Sequence, residues 1–467
     1  MNYSIFAENR KHALNYVKSL GGLLILKGHP EMVRPGTDYE HPIFQESNFY
    51  YLTGVPDENS WLVWDVEEDV THLFFDLPPE DAKTWMKVES FESKKRYPAN
   101  FHHKVEELPN VVAQFISKGI SKVHILEITS ESVIRECCKL PETVSVSNKD
   151  LQYLLGEARV IKTPGEIELM RMSAKHSSEA HIQTMKHVRD DMTETDIEAI
   201  WYYYMHKLAG TDGKFHAFLP IVSFGSDAAV LHHYAEDNVK AQPDQMCLLD
   251  AGSTYKFYAA DITRTFPISG KFAPKHRFIY ETVLEMQLAC IDMVKAGVMM
   301  IDIHEKALTI LAERLMKEGI IKTSSAKEAI EKNIAALFMP HGLGHQLGID
   351  THDVGGYVRG GPVRDTRPSF MKLRTNRVLQ PGMVITIEPG CYFNPNIIEP
   401  AVASNPEMAS LIDMEKIRGT YYAVGGVRIE DDVLVTPDGH DVLTCVPKNP
   451  DDIEKLMAEG QKLPPWM

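Results

Sequence analysis

Residues 339–356 read MPHGLGHQLGIDTHDVGG. The stretch holds His341, His345 and His352, two aspartates and five glycines. A packed helix would not choose so many glycines, and an ordinary strand would not collect so many ionisable groups. His341, Leu343 and His345 alternate with Gly342 and Gly344. In an extended backbone both imidazoles then point to one side, and the glycines let another backbone or a ligand come close. That geometry suits a metal ion or a peptide. A loop of solvated histidines has the same composition, so the surrounding chain has to decide.

Four apolar segments around this stretch carry acids. MCLLDAG ends on Asp250, and FYAADITRTF places Asp261 inside a second strand, with Gly252 to Lys256 read as the hairpin turn between them. VITIEPGCY puts Glu388 at the end of a β-branched run before Pro-Gly, and GGVRIEDDVLVT puts Glu430 mid-strand on the same face as Arg428. Each aspartate alone could merely cap a turn. Four such acids with one histidine are better explained by a cation, because a strand-buried carboxylate is costly unless paired or metal-bound. An oxygen-rich set with a single imidazole favours Mn, Co or Zn over a thiolate site, and four carboxylates balance two divalent ions. Two such ions can activate a water molecule as nucleophile.

The rest of the chain supplies a scaffold. Its 467 residues suggest two or three domains. With 44% hydrophobic and 24% charged residues it reads as a soluble globular protein. A net charge of −16 argues against nucleic acid or an anionic membrane as partner. Cys137, Cys138, Cys247, Cys290, Cys391 and Cys445 show no framework spacing, so reduced thiols in the cytoplasm are expected. The opening MNYSIFAENRKHALNY lacks an apolar leader core, and no run reaches the length of a membrane span.

Residues 7–20 predict a helix stopped by Gly21-Gly22. SWLVWDV, THLFFDL and KVHILEI predict strands, with helical stretches near residues 80–86 and 111–117 between them. The stretch HPIFQESNFYYLTG, residues 41–54, reads as a core strand or a contact to substrate or a second subunit. Thr163-Pro164-Gly165-Glu166 opens a long helix, so the chain is divided into an α/β domain at 1–157 and a second domain at 158–467. In the second domain, Asp196-Ile197 and Asp302-Ile303 open helices about a hundred residues apart. Each follows a longer helix, a pattern that points to an internal duplication.

The set LLDAG, AADITRTF, MPHGLGHQLGIDTHDVGG, ITIEPGCY and GGVRIEDD, in this order, resembles the prolidase and aminopeptidase P branch of the pita-bread metallopeptidases. FQESNFYYLTG resembles that family's N-terminal domain, so the likeness spans essentially the whole chain. It implies an α/β fold, an N-terminal α/β domain followed by a pseudo-twofold pita-bread domain, and a homodimer. Asp250, Asp261, His345, Glu388 and Glu430 match the ligands of two ions, usually manganese, with Asp261 and Glu430 bridging. Glu388 matches the residue that handles the water proton. His341 and His352 match histidines that hold substrate and the tetrahedral intermediate, and Arg428 matches a substrate-side arginine. The implied activity is hydrolysis of Xaa-Pro dipeptides or short peptides.

Three positions depart from the pattern or leave it open. The family reads A-V-L-H-Y where this chain reads AVLHHY. Counting from the preceding strand selects His232, and adjacency to Tyr234 selects His233; the first count is preferred. Phe218 stands where a tyrosine is usual, and Phe44 where arginine usually precedes Gln45. Arg374 matches an arginine that grips the free carboxylate of a C-terminal proline, which favours dipeptides; a surface salt bridge is its plain alternative. Three rivals remain: aminopeptidase P acting on longer Xaa-Pro peptides, creatinase-like hydrolysis, and an inactive pita-bread module that binds partner proteins. The full ligand set argues against the last two.

Overall fold

The computed structural model describes residues 3–39, 41, 44–210 and 215–460. The chain separates into two compact units, Met1–Gly165 and Glu166–Met467.

The first unit is a six-stranded mixed sheet in the order Phe101–Lys104, Val70–Phe75, Trp61–Asp65, Leu23–Lys27, Lys122–His124, Ser145–Ser147. The strands of 23–27, 61–65 and 70–75 run antiparallel and the outer pairings are parallel. Leu23, Ile25, Trp61, Val63 and Phe74 bury one sheet face against Leu108, Val112 and Phe115 of the helix Leu108–Ser117. The opening helix is Ser4–Val17, and Gly21 and Gly22 take positive φ before the first strand. The 41–54 stretch is a correction. It holds a helix, Ser47–Thr53, where a strand was expected, with Pro42 and Ile43 outside the described residues. The Glu46 carboxylate caps it through the Phe49 N–H at 2.6 Å, and Gly54 at φ 68° ends it. Local capping overrides the β-propensity of its aromatic residues, which still enter the core.

The second unit is built on two interrupted hairpins. In the first, Met246–Ala251 pairs with Ile262–Pro267, and a short ladder of Thr254–Tyr255 with Tyr258–Ala259 continues it. The turn lies at Lys256 and Phe257, both at positive φ, rather than across the predicted residues 252–256. In the second, Val384–Ile387 pairs with Asp431–Val435, and Gly390–Tyr392 pairs with Gly426–Arg428. Each hairpin therefore breaks between two ladders. Asp261 lies in one break and Glu430 in the other, so neither is mid-strand as expected. A residue in such a break is released from the ladder and can turn its side chain toward a ligand. Gly252 sits opposite Ala260 in the first break, where a Cβ would come within 1.8 Å of the Ala260 carbonyl oxygen.

Helices Pro164–His187, Glu194–Ala209, Pro274–Met293 and Met300–Lys317 accompany these hairpins. Asp196 and Asp302 both fall in a first turn, and Asp196 completes a capping box with Thr193. Among the described residues no helix is long and apolar enough to cross a membrane.

Candidate active site

The histidine-rich stretch lies along the second hairpin as an irregular edge. Glu388 N–H donates to the Leu343 carbonyl at 2.8 Å, Thr386 N–H to His345 at 2.9 Å and Leu347 N–H to Val384 at 3.0 Å. His345 N–H returns a bond to Thr386 Oγ1. Gly344 permits this approach, because a Cβ there would stand 1.9 Å from the Thr386 carbonyl oxygen. His345 and Glu388 are thus set against each other by backbone.

The two hairpins meet along Thr263 and Glu430, where Glu430 N–H donates to the Thr263 carbonyl at 3.1 Å. This brings Asp250, Asp261 and Glu430 together, with one oxygen from each mutually within 4.8 Å; His345, Glu388 and Glu430 form a second such group. His345 Nε2 is 3.3 Å from Asp261, 3.7 Å from Glu388 and 4.0 Å from Glu430. Its Nδ1–H is engaged by the Gln346 carbonyl at 2.9 Å, which leaves the Nε2 lone pair facing the acids. Burial, reinforced by His352, depresses this imidazole to about 3, so the ring is neutral.

The acids are pushed the other way. Burial and then the neighbouring charges of Glu430, Asp250 and Glu388 raise Asp261 well above the ordinary carboxylate range. Burial with Glu388 and Asp250 does the same to Glu430, and burial raises Glu388 to about 8 despite nearby Arg428. Asp261, Glu388 and Glu430 cannot all ionise side by side here unless further positive charge joins them. Asp250 Oδ1 is buried and has no hydrogen-bond partner among the described residues, although such atoms are normally satisfied. A neutral imidazole with an inward lone pair, an unpartnered carboxylate oxygen and a surplus of buried acid together fit divalent cations.

Arg428 is buried and holds three groups, donating to Asp250 Oδ2 at 2.6 Å, the Tyr392 hydroxyl at 2.9 Å and Thr263 Oγ1 at 3.0 Å. Tyr392 in turn bonds His341 Nε2 at 2.9 Å, and Thr263 donates to Glu430 at 2.7 Å. Burial and Arg428 depress His341 to about 3. His352 packs edge-on to His345 with ring centroids 4.5 Å apart.

The four acids, Arg428, His341, His345 and His352 line a cavity of about 710 Å³ that also takes in His232, Arg374, Phe218, Lys372 and Arg364. The two adjacent histidines separate. His232 faces the cavity, whereas His233 Nε2 bonds the Glu194 carboxylate at 2.7 Å. Phe218 lines the wall, so no hydroxyl stands at that point. Phe44 belongs to the first unit and is about half exposed. Arg374 is exposed on the cavity wall.

Sequence reasoning missed Tyr392, Thr263 and Asp432, which hold site residues in place. Asp432 accepts the Asp261 backbone N–H at 3.2 Å. Thr263 was legible by period two from Asp261. Tyr392 and Asp432 carried no local signal.

The comparisons with known proteins agree with this geometry. A model of metallopeptidase family M24 matches residues 168–437, and one of the aminopeptidase P N-terminal domain matches residues 6–124. A probable Xaa-Pro aminopeptidase of Ajellomyces capsulatus is 36% identical over 461 residues, covering 97% of this chain and 95% of the relative. The human Xaa-Pro dipeptidase is 36% identical over 470 residues, covering 98% of this chain and 94% of that one. A zinc-substituted Escherichia coli aminopeptidase P in complex with product superposes with a TM-score of 0.82 at 28% identity, covering 99% of this chain and all of the other. With its N-terminal α/β unit and its pita-bread unit of paired hairpins around clustered acids, this chain belongs to metallopeptidase family M24.

Proposed function

We propose that the protein hydrolyses the Xaa-Pro bond of dipeptides at a pair of divalent cations held by Asp250, Asp261, His345, Glu388 and Glu430. The clustering of those four carboxylates, three of them within 4.0 Å of one neutral imidazole, carries this reading. When bound, the ions supply Lewis acidity and lower the pKa of water. The donor set suits manganese, with cobalt or zinc able to substitute; a zinc-substituted relative is consistent with such exchange.

The chain's own residues do the rest. Glu388, ionised once cations are bound, would take a proton from the attacking water on a carboxylate oxygen and return it to the proline nitrogen as the peptide bond breaks. His232, His341 and His352 line the space around the scissile group and hold the substrate and its tetrahedral intermediate. Arg428 keeps Asp250 and Tyr392 in position behind them. Arg374 on the cavity wall pairs with the C-terminal carboxylate. Six free cysteines are in keeping with a cytoplasmic enzyme. The resemblance to prolidases supports a homodimer, and the helix opened by Thr163-Pro164-Gly165-Glu166 supports a domain boundary just before it, near residue 157.

The second reading, release of the first residue from longer Xaa-Pro peptides, draws on the aminopeptidase relatives. Metal analysis with mass-spectrometric identification of products from Gly-Pro, Ala-Pro and Xaa-Pro-Yaa separates the two. Preference for the tripeptide favours the aminopeptidase, and full turnover by metal-free protein refutes both.

A further inference from the structure

His232 is exposed and sits in an irregular segment that follows the strand Ile221–Phe224 and the 3-10 turn Gly225–Ala229. Its imidazole lies within electrostatic reach of His341 and His352. No regular ladder holds it there; one isolated bridge, Ile221 to Tyr234, closes the segment. The restraint comes from Glu194, the first residue of the helix Glu194–Ala209. Its buried carboxylate accepts the Phe224 N–H at 2.9 Å on one oxygen. The other oxygen accepts His233 Nε2–H at 2.7 Å and the Glu236 N–H at 3.0 Å. One side chain therefore grips the start of the segment, its end, and the residue next to His232. The helix start is itself latched by Thr195 N–H to the Glu236 carbonyl and by Ala241 N–H to Met192.

We infer that Glu194 and His233 are positioning residues that hold His232 at the substrate. The doubled histidine then has two tasks, one residue facing the peptide and its neighbour tying the segment to the helix. Bonds to a buried carboxylate are short and stiff, so the segment can stay irregular and still present His232 at a set place. This inference rests on the proposed Xaa-Pro hydrolysis for its kinetic arm only.

The test is a coupling measurement on the metal-loaded protein. His233→Ala is expected to lower kcat/KM for Ala-Pro by about 10- to 100-fold, since misplacement by an ångström costs that much. Metal content should stay at the wild-type level. In a His232→Ala background, adding His233→Ala should lower the rate no further, because the group it positions is gone. His233→Gln, which keeps an N–H donor, should recover part of the loss. Should His233→Ala not fold, Glu194→Gln keeps the volume, weakens the grip and carries the same cycle. Additive losses, loss of metal or an unchanged rate would overturn the inference. If the wild type cleaves no Xaa-Pro peptide, the functional reading fails, and the His232 ring-proton NMR signal of the metal-free protein decides instead. Assigned by its absence in His232→Ala, that signal should shift in His233→Ala while those of buried His181 and His304 stay; an unmoved His232 signal refutes the clamp.

Discussion

Replacing Gly344 with alanine should dismantle the proposed metal centre without changing any residue proposed to hold the ions. The added Cβ would stand 1.9 Å from the Thr386 carbonyl oxygen and 2.8 Å from its carbon, both backbone atoms that cannot rotate away. Contacts under about 3 Å are not tolerated, so the two segments must separate by roughly 1 Å. The bonds from Thr386 to His345 and from Glu388 to Leu343 run directly through this contact. Each buried group left unsatisfied costs about 1–3 kcal/mol, so a stability loss of about 3 kcal/mol or more is expected. Metal–ligand distances tolerate only about 0.2 Å, and the separation moves His345 and Glu388 apart. Metal content after dialysis should therefore fall below half the wild-type value, and turnover should drop by at least about 100-fold. Gly419→Ala is the control, since a Cβ there meets nothing within 4 Å. Elemental analysis with thermal melts reads both variants. A Gly344→Ala protein with full metal and a wild-type melt would refute the account of how this strand edge holds His345.

Metal binding should release protons at pH 7, because burial holds the Glu388 carboxyl at about 8 in the metal-free protein. Apparent affinity should climb up to tenfold per pH unit per proton released until about pH 8; calorimetry in buffers of different ionisation enthalpy counts the protons, and none released would contradict the raised carboxyls. Since these folded-state values lie above the unfolded ones, the metal-free fold should lose stability as pH rises from about 4.5 through about 8, and bound metal should remove that loss. Asp261→Asn should abolish metal binding and turnover together, whereas His352→Ala should lower turnover with metal retained; metal loss in His352→Ala would assign that ring to the ions. Arg374→Ala should cut dipeptide kcat/KM by about 10- to 100-fold and change tripeptides far less, a reduced effect because the side chain is exposed and screened. Equal losses on both substrates would show that Arg374 supports the fold.

The acids and histidines proposed for the centre stood out in the sequence because their signal is local. An ionisable residue at the end of an apolar run or inside one is anomalous by itself, and Asp250, Asp261, Glu388 and Glu430 repeat the anomaly. The first hairpin followed from a short connection, whereas the second pairs Gly390–Tyr392 with Gly426–Arg428 across a long helical connection that no local signal spans; the glycine alternation around His345 announced a close backbone approach. The aromatic stretch at 41–54 misled because a capping carboxylate, not propensity, decided its state. The exact turn at Lys256 and Phe257 was missed because two non-glycine residues take positive φ there.

What the sequence determined alone is which residue types the clustered segments bring and the order of those segments, since both depend on residue type and short spacing. Tertiary structure decided the rest. Which of two adjacent histidines faces the cavity depends on Glu194, 39 residues away from His233. Whether Arg428 is solvated or buried against Asp250 depends on a partner 178 residues off. Asp431 and Asp432, neighbours of Glu430, take opposite environments: Arg264 and Lys448 hold Asp431 at about 2 against its burial, and burial raises Asp432. Three consecutive acids look alike in a sequence because a carboxylate's charge state is set by what surrounds it, and those surroundings come from remote parts of the chain.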